Sequence, residues 1–444
     1  MKNILILGAG RSATSLISYL LSAAVKYDYS VTVADTSPEL IKQKTGSHAR
    51  AVAVALDIAN EALTRSEISK ADIVVSMLPA FLHPRIAEQC VALKKSLVTA
   101  SYVSPEMKGL DAAARNAGII LMNESGLDPG IDHASAMAVI DRIKNSGGNI
   151  LSFKSYTGGL VAPESNDNPW GYKFTWNPRN VVLAGQGTAR YIENGKYVYI
   201  PYHKLFTRTE KVHVEGTGDF EGYANRDSLG YRAIYGLENI PTLIRGTLRQ
   251  PGYCEAWNAL VQLGLTDDTY TVTDSGKMTY RQFTDSYLPP GKESVEARFA
   301  AYVNIPLKGT IMNMIRWLGI FEEAAVILNH ATPAQILQAL LEERWKLKDN
   351  DRDMIVMQHK FEYSTAANPA KTQQLVTSLV VKGDDSVHTA MAKTVGLPVG
   401  IVTKLILNGV IKLKGVCIPT VKEIYTPLLK ELDDAGIRFI EKTR

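Results

Sequence analysis

A glycine turn, one well-spaced carboxylate and the start of a helix stand together at the beginning of this chain. Residues 8–13 read Gly-Ala-Gly-Arg-Ser-Ala, a G-x-G-x-x-A turn directly after the apolar run 4–7. In such a turn Gly8 permits the sharp bend, Gly10 lets backbone amides approach a pyrophosphate, and Ala13 lets the next helix pack close. Arg11 and Ser12 lie at the helix N-terminus that faces the phosphates. Asp35, 25 positions after Gly10, closes the second apolar run with Thr36 beside it. A carboxylate there hydrogen-bonds ribose hydroxyls and repels a 2′-phosphate. No Lys or Arg follows until Lys42. The pattern predicts dinucleotide binding, with NAD favoured over NADP. Asp57 and Ile58 follow the third apolar run, and Ser76 to Pro79, with Leu78, follow the fourth. There adenine and the nicotinamide-side phosphate pass in such domains.

Two further clusters carry polar chemistry. Ser101 and Tyr102 follow the fifth run, and Leu127-Asp128-Pro129-Gly130-Ile131-Asp132-His133 follows the sixth. Ligands of open parallel sheets lie outside the carboxyl ends of the strands, so both clusters fall at the mouth of that crevice. Asp128 has two readings that one carboxylate can satisfy together: N-cap of a helix whose first position is Pro129, and direct substrate contact. Asp132 and His133, one turn further on, read as packing or surface residues.

The elements that must position these groups are legible. Short all-apolar runs (4–7, 31–34, 51–56, 72–78, 96–100, 119–123) alternate with helical patterns, which describes a Rossmann-type doubly wound parallel sheet of the α/β class. After Asp128 the texture changes to alternating strands over 150–225, then a helical pattern from 240 to about 345. Its best-marked helix begins at Thr332-Pro333. MIVMQHKFEY and TQQLVTSLVVKG flank an Asn-Pro turn as an antiparallel hairpin, and a last long helix from about Ser386 to Asn408 precedes a short tail. No internal repeat is visible.

Composition narrows the function. With 444 residues, 45% hydrophobic, 21% charged and mean hydropathy of −0.06, the chain reads as globular and of more than one domain. Its apolar stretches fall short of the ~20 residues of a membrane span. The net charge, 49 − 45 = +4, is spread without a basic block, so neither a nucleic-acid nor a membrane surface is implied. Three distant cysteines (Cys90, Cys254, Cys417) exclude a disulfide framework and a cysteine-rich metal site; no metal is expected. A cytoplasmic location is expected.

The ordered set GAGRSA, SYVSPEM, NESGLDPGIDH, SYTGGLVAPESNDNPWGYKFTW, NRDS, LIRGTLR, DNDRDMIVMQHKFE and TAMAKTVGLPVGIVTKLILNG spans essentially the whole chain. It resembles the L-glutamate-forming saccharopine dehydrogenases. The resemblance implies a dinucleotide-binding domain (1–128, completed by 391–444) interrupted by an α+β substrate and dimerisation domain (129–245 and 346–390) with a helical insertion (246–345). It implies a homodimer, and a reaction in which saccharopine, NAD(P)+ and water interconvert with L-glutamate, 2-aminoadipate 6-semialdehyde and reduced cofactor. By resemblance Ser101, Tyr102, Asp128, Arg226 and the segment Gly246-Thr247-Leu248-Arg249 contact substrate. Leu127, Asp128, Pro129, Gly130, Ser101 and Trp176 lie near the cofactor, and Asp128 and Tyr102 are the polar groups around the imine.

A substrate with three carboxylates needs several guanidiniums, which grip carboxylates bidentately, and Arg226, Arg245 and Arg249 are the candidates. Two features depart from fungal members of the family, which prefer NADP and lack an acidic residue where Asp35 stands, and which carry Cys where Thr157 lies. The nearest rival is a reductive-amination enzyme such as carboxynorspermidine synthase. A rival of another class is a non-catalytic dinucleotide-binding sensor, in which the arginine set would be superfluous.

Overall fold

The computed structural model describes residues 1–184 and 186–443 and divides into two compact units. The first comprises Met1–Ile150, Tyr363–Thr372 and Val381–Ile440; the second comprises Leu151–Glu362, Gln373–Val380 and the segment from Glu441.

Six strands of the first unit follow the expected order: β1 (Lys2–Leu7), β2 (Tyr29–Asp35), β3 (Ala51–Ala55), β4 (Ile73–Ser76), β5 (Ser96–Thr99) and β6 (Ile120–Met122). With one strand from the chain's end, Gly415–Cys417, they form a seven-stranded sheet in the order β3-β2-β1-β4-β5-β6 and then that last strand, every pair parallel. Leu5, Leu7, Val74, Leu97 and Leu121 face one layer of helices and pack there with Ile68, Ile86, Cys90 and Met107. Burial on both faces explains why these strands read as continuous apolar runs. The order reverses between β1 and β4. Their carboxyl ends carry the glycine turn and the segment Met77–Pro79, and a Cβ placed on Gly8, whose φ is +97°, would lie 3.1 Å from the Met77 carbonyl oxygen.

The expected tail is a structural part of this unit. It supplies the seventh strand and the helix Lys422–Asp434, whose Tyr425 hydroxyl donates to Asp141 on the helix Ile131–Asn145. By its contacts the first unit extends without a break to Ile150. The last long helix runs Ala390–Leu407 and begins later than expected, because Thr389 caps it by accepting the Ala392 amide. By length and composition it is apolar enough to cross a membrane, yet it is two-thirds buried, packed on the helix Ala13–Tyr27.

The second unit holds β8 (Ala189–Glu193), β9 (Lys196–Ile200), β10 (Thr209–Val214), β11 (Gly218–Ala224), β12 (Thr242–Arg249) and the greater part of β7 (Asn149–Val161) and β13 (Asp353–Thr365), with the middle of β14 (Asn368–Lys382). With Ile440–Thr443 they form a mixed sheet in which β12 is antiparallel to β11 and parallel to β7, and β13 and β14 are neighbours. The helical reading from 240 is corrected here: 242–249 is a strand, and the helical stretch starts at Tyr253. Its helices, Tyr253–Leu263, Thr310–Leu318 and Pro333–Arg344, share one core with the sheet around Trp170, Trp257 and Trp345. The expected helix at Thr332-Pro333 is present, with Thr332 and Gln335 forming a reciprocal capping box.

Candidate active site

In the first unit the polar candidates stand at the carboxyl ends of neighbouring strands. Asp35, ending β2, turns back onto the glycine turn. Its Oδ2 accepts the Ala9 amide at 2.8 Å and its Oδ1 accepts the Ser37 amide at 3.1 Å, with the Thr36 hydroxyl at 3.4 Å. A Cβ on Gly10 would meet nothing within 4 Å, so the turn presents open space where a pyrophosphate must approach. Arg11, Ser12 and Ala13 lead into the helix Ala13–Tyr27, whose first amides have no side-chain cap. These residues fit a dinucleotide: a bare glycine turn, an uncapped helix start and a carboxylate on the ribose side. Asp57 is engaged in its own turn, accepting the Ala59 amide at 2.9 Å, and the Ile58 carbonyl accepts from Thr64. Leu78 is partly buried against the strand core, and Pro79 starts a short turn.

Ser101 is fixed by a residue that the sequence did not single out. The His83 ring is 3% exposed; its Nδ1 lies 2.9 Å from the Ser76 hydroxyl, and its Nε2 lies 2.9 Å from that of Ser101 and 3.0 Å from that of Thr99. All three partners are neutral, so burial is uncompensated and pushes the His83 pKa down to about 4. His83 is therefore a neutral peg that joins the ends of β4 and β5 to Ser101.

The Tyr102 hydroxyl donates to Asp128 Oδ1 at 3.1 Å, which brings together the two residues expected around the imine. The capping reading of Asp128 is corrected. The helix begins at Ile131 with Gly130 as its cap residue, and Asp132 Oδ1 accepts the Gly130 amide at 2.6 Å. Residues 126–130 form a tight crossing: Gly126 donates to the Pro129 carbonyl, Asp132 donates to that of Leu127, and a Cβ on Gly130 would fall 2.1 Å from the Gly126 oxygen. Asp132 and His133 are 1% and 0% exposed, so of the two expected roles the surface one falls away.

The guanidiniums belong to the second unit. Successive strand residues point to opposite faces, so Arg245, Thr247 and Arg249 on β12 share a face while Gly246 and Leu248 take the other. A Cβ on Gly246 would lie 2.4 Å from the Tyr156 ring, and Leu248 is wholly buried, so neither offers a side chain to a ligand. Arg245 is 6% exposed, its guanidinium carbon 4.1 Å from the Tyr231 ring centre. Arg249 is 4% exposed, its guanidinium carbon 5.1 Å from the Tyr172 ring centre and 5.3 Å from that of Tyr253. Its Nη1 donates to the Leu248 carbonyl, its Nε has no partner, and it pairs with no acidic side chain among the described residues.

Burial pushes the Tyr172, Tyr223 and Tyr253 hydroxyls up, so they stay neutral phenols and do not balance the charge. The Arg226 guanidinium is exposed and has no hydrogen-bond or ion-pair partner among the described residues; its φ is +45°. Thr157, buried on β7 opposite Thr247, has an unpartnered hydroxyl. Trp176 is partly buried and donates to the Tyr172 hydroxyl at 3.3 Å. Among the described residues no group of three His, Cys, Asp or Glu side chains could hold a metal ion.

Sheet order, glycine turn and the carboxylate ending β2 define a dinucleotide-binding protein of the Rossmann type. Residues 4–122 match the saccharopine dehydrogenase NADP binding domain, and residues 126–437 match the saccharopine dehydrogenase C-terminal domain. The chain is 36% identical to saccharopine dehydrogenase [NADP(+), L-glutamate-forming] of Saccharomyces cerevisiae, over 100% of this chain and 99% of that one. It is 35% identical to the protein of the same name in Schizosaccharomyces pombe, with the same coverage. The apo structure of the L-Glu-forming saccharopine dehydrogenase of Saccharomyces cerevisiae superposes with a TM-score of 0.90 at 35% identity, covering 100% of both chains. The chain belongs to the saccharopine dehydrogenase family.

Proposed function

We propose that this protein interconverts saccharopine, a nicotinamide dinucleotide and water with L-glutamate, 2-aminoadipate 6-semialdehyde and the reduced dinucleotide. Arg249 carries this reading: a buried cation without an acidic partner is costly unless a ligand anion completes it. Arg245 on the same strand face and the guanidinium of Arg226, unpaired among the described residues, extend the set toward a substrate with three carboxylates. A non-catalytic sensor has no use for such a set, and a diamine-derived substrate has fewer carboxylates to fill it.

A dinucleotide held by the glycine turn and Asp35 would supply the hydride acceptor for the carbon beside the secondary amine, and water would convert the resulting imine to aldehyde and glutamate. The arginines of the second unit hold the substrate's carboxylates. Asp128 accepts the proton of the attacking water, and Tyr102, donating to Asp128, presents its own oxygen as an acceptor that orients that water. The relatives in both yeasts are named for NADP(+). The Asp35 carboxylate, held by two backbone amides on the ribose side, supports NAD for this chain.

The test is to mix purified protein with saccharopine and either dinucleotide at alkaline pH and follow reduced nicotinamide together with glutamate. Stoichiometric glutamate is expected. Reduction with carboxynorspermidine but not with saccharopine would transfer the protein to the rival chemistry.

A further inference from the structure

Tyr102 sits in a stretch without regular structure, 102–104, yet its neighbours on both sides are bonded to one residue. The Glu124 amide donates to the Ser101 carbonyl at 3.0 Å, and Glu124 Oε1 accepts the Val103 amide at 3.0 Å. Glu124 is 4% exposed and holds a left-handed backbone, φ +55°, uncommon for a residue with a side chain. Its other oxygen, Oε2, lies 2.7 Å from His133 Nε2, and His133 Nδ1 lies 3.5 Å from Asp132 Oδ2. Asp132 in turn accepts the amide of Gly130, two residues past Asp128. A continuous buried chain of contacts thus runs from the backbone on both sides of Tyr102, through Glu124, His133 and Asp132, to the loop that carries Asp128.

We propose that Glu124 and His133 are positioning residues that hold the Tyr102 hydroxyl against Asp128 in the geometry the reaction uses. Neither touches the reacting atoms. Glu124 fixes the backbone on which Tyr102 stands, and His133 ties that clamp to the helix start beside Asp128. Side chains nearly excluded from water, with charged or polar atoms at contact distance, hold such a geometry more stiffly than a solvated loop. The inference rests on the saccharopine reading above.

Steady-state oxidation of saccharopine by the whole protein tests it, with Glu124→Ala, Glu124→Gln and His133→Asn compared with the unmodified chain. A displacement of about 1 Å at the reacting groups lowers kcat by about 10- to 100-fold. That loss is expected for Glu124→Ala, with KM for the dinucleotide within about threefold, since the glycine turn lies on another element. Glu124→Gln keeps an oxygen for the Val103 amide and a polar atom facing His133, so it should recover kcat to within about threefold. His133→Asn should fall between the two.

A merely structural role would lower thermal stability and leave kcat per folded molecule alone. Unchanged kcat in folded Glu124→Ala overturns the proposal, as does a Gln variant no better than Ala. Should the Ala variant fail to fold, His133→Asn decides: kcat within twofold of the unmodified chain overturns it. An unmodified protein inert toward saccharopine would fell the parent reading and this inference together, whereas an active parent with indifferent variants fells the inference alone.

Discussion

Glu221 stands directly across the β11–β12 ladder from Arg249, yet it does not neutralise it. Its carboxylate accepts the amides of Gly252 and Cys254 at 2.8 and 3.0 Å, at the start of the helix Tyr253–Leu263, which carries its own positive end. The acid across the ladder is thus diverted to a helix terminus, and the guanidinium is left among phenols.

Arg249→Met should therefore act oppositely on binding and on stability. Removing one partner of a buried charged pair costs about 2 to 5 kcal/mol, so saccharopine affinity should fall by roughly 30-fold to several-thousand-fold. The ligand-free protein, relieved of a buried charge with no counter-ion, should melt no lower than the unmodified chain. Titration with saccharopine and thermal unfolding without ligand check both halves. An affinity loss below about threefold would return Arg249 to a packing role. The exposed Arg226 should show a smaller loss in Arg226→Met, with dinucleotide affinity nearly unchanged.

Asp35 bears on cofactor choice and on the shape of the turn. Asp35→Ala removes the repulsion of a 2′-phosphate and should narrow or reverse the NAD preference in kcat/KM. It also frees the Ala9 amide, so affinity for NAD itself should fall. Unmodified protein that turns over NADP at least about tenfold more efficiently than NAD would refute the role given to Asp35.

The first unit was legible because its signals are local: apolar runs, a turn of small residues and an acid at fixed spacing. The strand Gly415–Cys417 escaped because three residues are too few to show a period. Strand β12 is hard to tell from the helical stretch that follows it, because two arginines interrupt the apolar pattern of a buried strand; those same arginines make it a candidate binding strand. Arg245 and Arg249 could be named, but not the isolation of Arg249, which depends on Glu221, 28 positions earlier, being engaged elsewhere. His83 was invisible because its partners, Ser76, Thr99 and Ser101, meet only once β4 and β5 pair. Capping stands beside substrate contact as a reading of Asp128 because Asp-Pro before an apolar stretch is a good helix start by composition alone, and only the fold, with Gly130 as the cap residue, separates the two.

Gly396, inside the helix Ala390–Leu407, decides between propensity and packing. Alanine is the better helix former by about 1 kcal/mol, which alone would make Gly396→Ala stabilising. A Cβ there would lie 2.8 Å from the Leu16 amide nitrogen and 2.9 Å from the Ser12 carbonyl oxygen, both backbone atoms. Overpacking of this kind costs about 1 to 3 kcal/mol, so the clash should win and stability should fall. The helix Ala13–Tyr27 must shift to accommodate the methyl, and the glycine turn at its start should bind dinucleotide more weakly. A higher melting temperature for Gly396→Ala would show that the two helices have room to spare.

His83 gives the protein a pH dependence whose sign follows from its partners. In the unfolded chain a histidine takes up its proton at about 6.5. In the folded chain burial among three neutral hydroxyls holds His83 down to about 4. Between those values the unfolded state binds the proton and the folded state does not, so stability rises with pH across this window and is lost as pH falls through it. The difference amounts to at most about 3 kcal/mol at the acid end, an order-of-magnitude figure. Carboxylates titrate nearby, so the measurement is denaturant unfolding of the unmodified chain and of His83→Gln at pH 7.5 and pH 4.5, read as the change in their difference. Glutamine does not titrate and should be relatively more stable at the lower pH. A stability difference that stays constant between the two pH values would mean that the buried ring takes up its proton without cost.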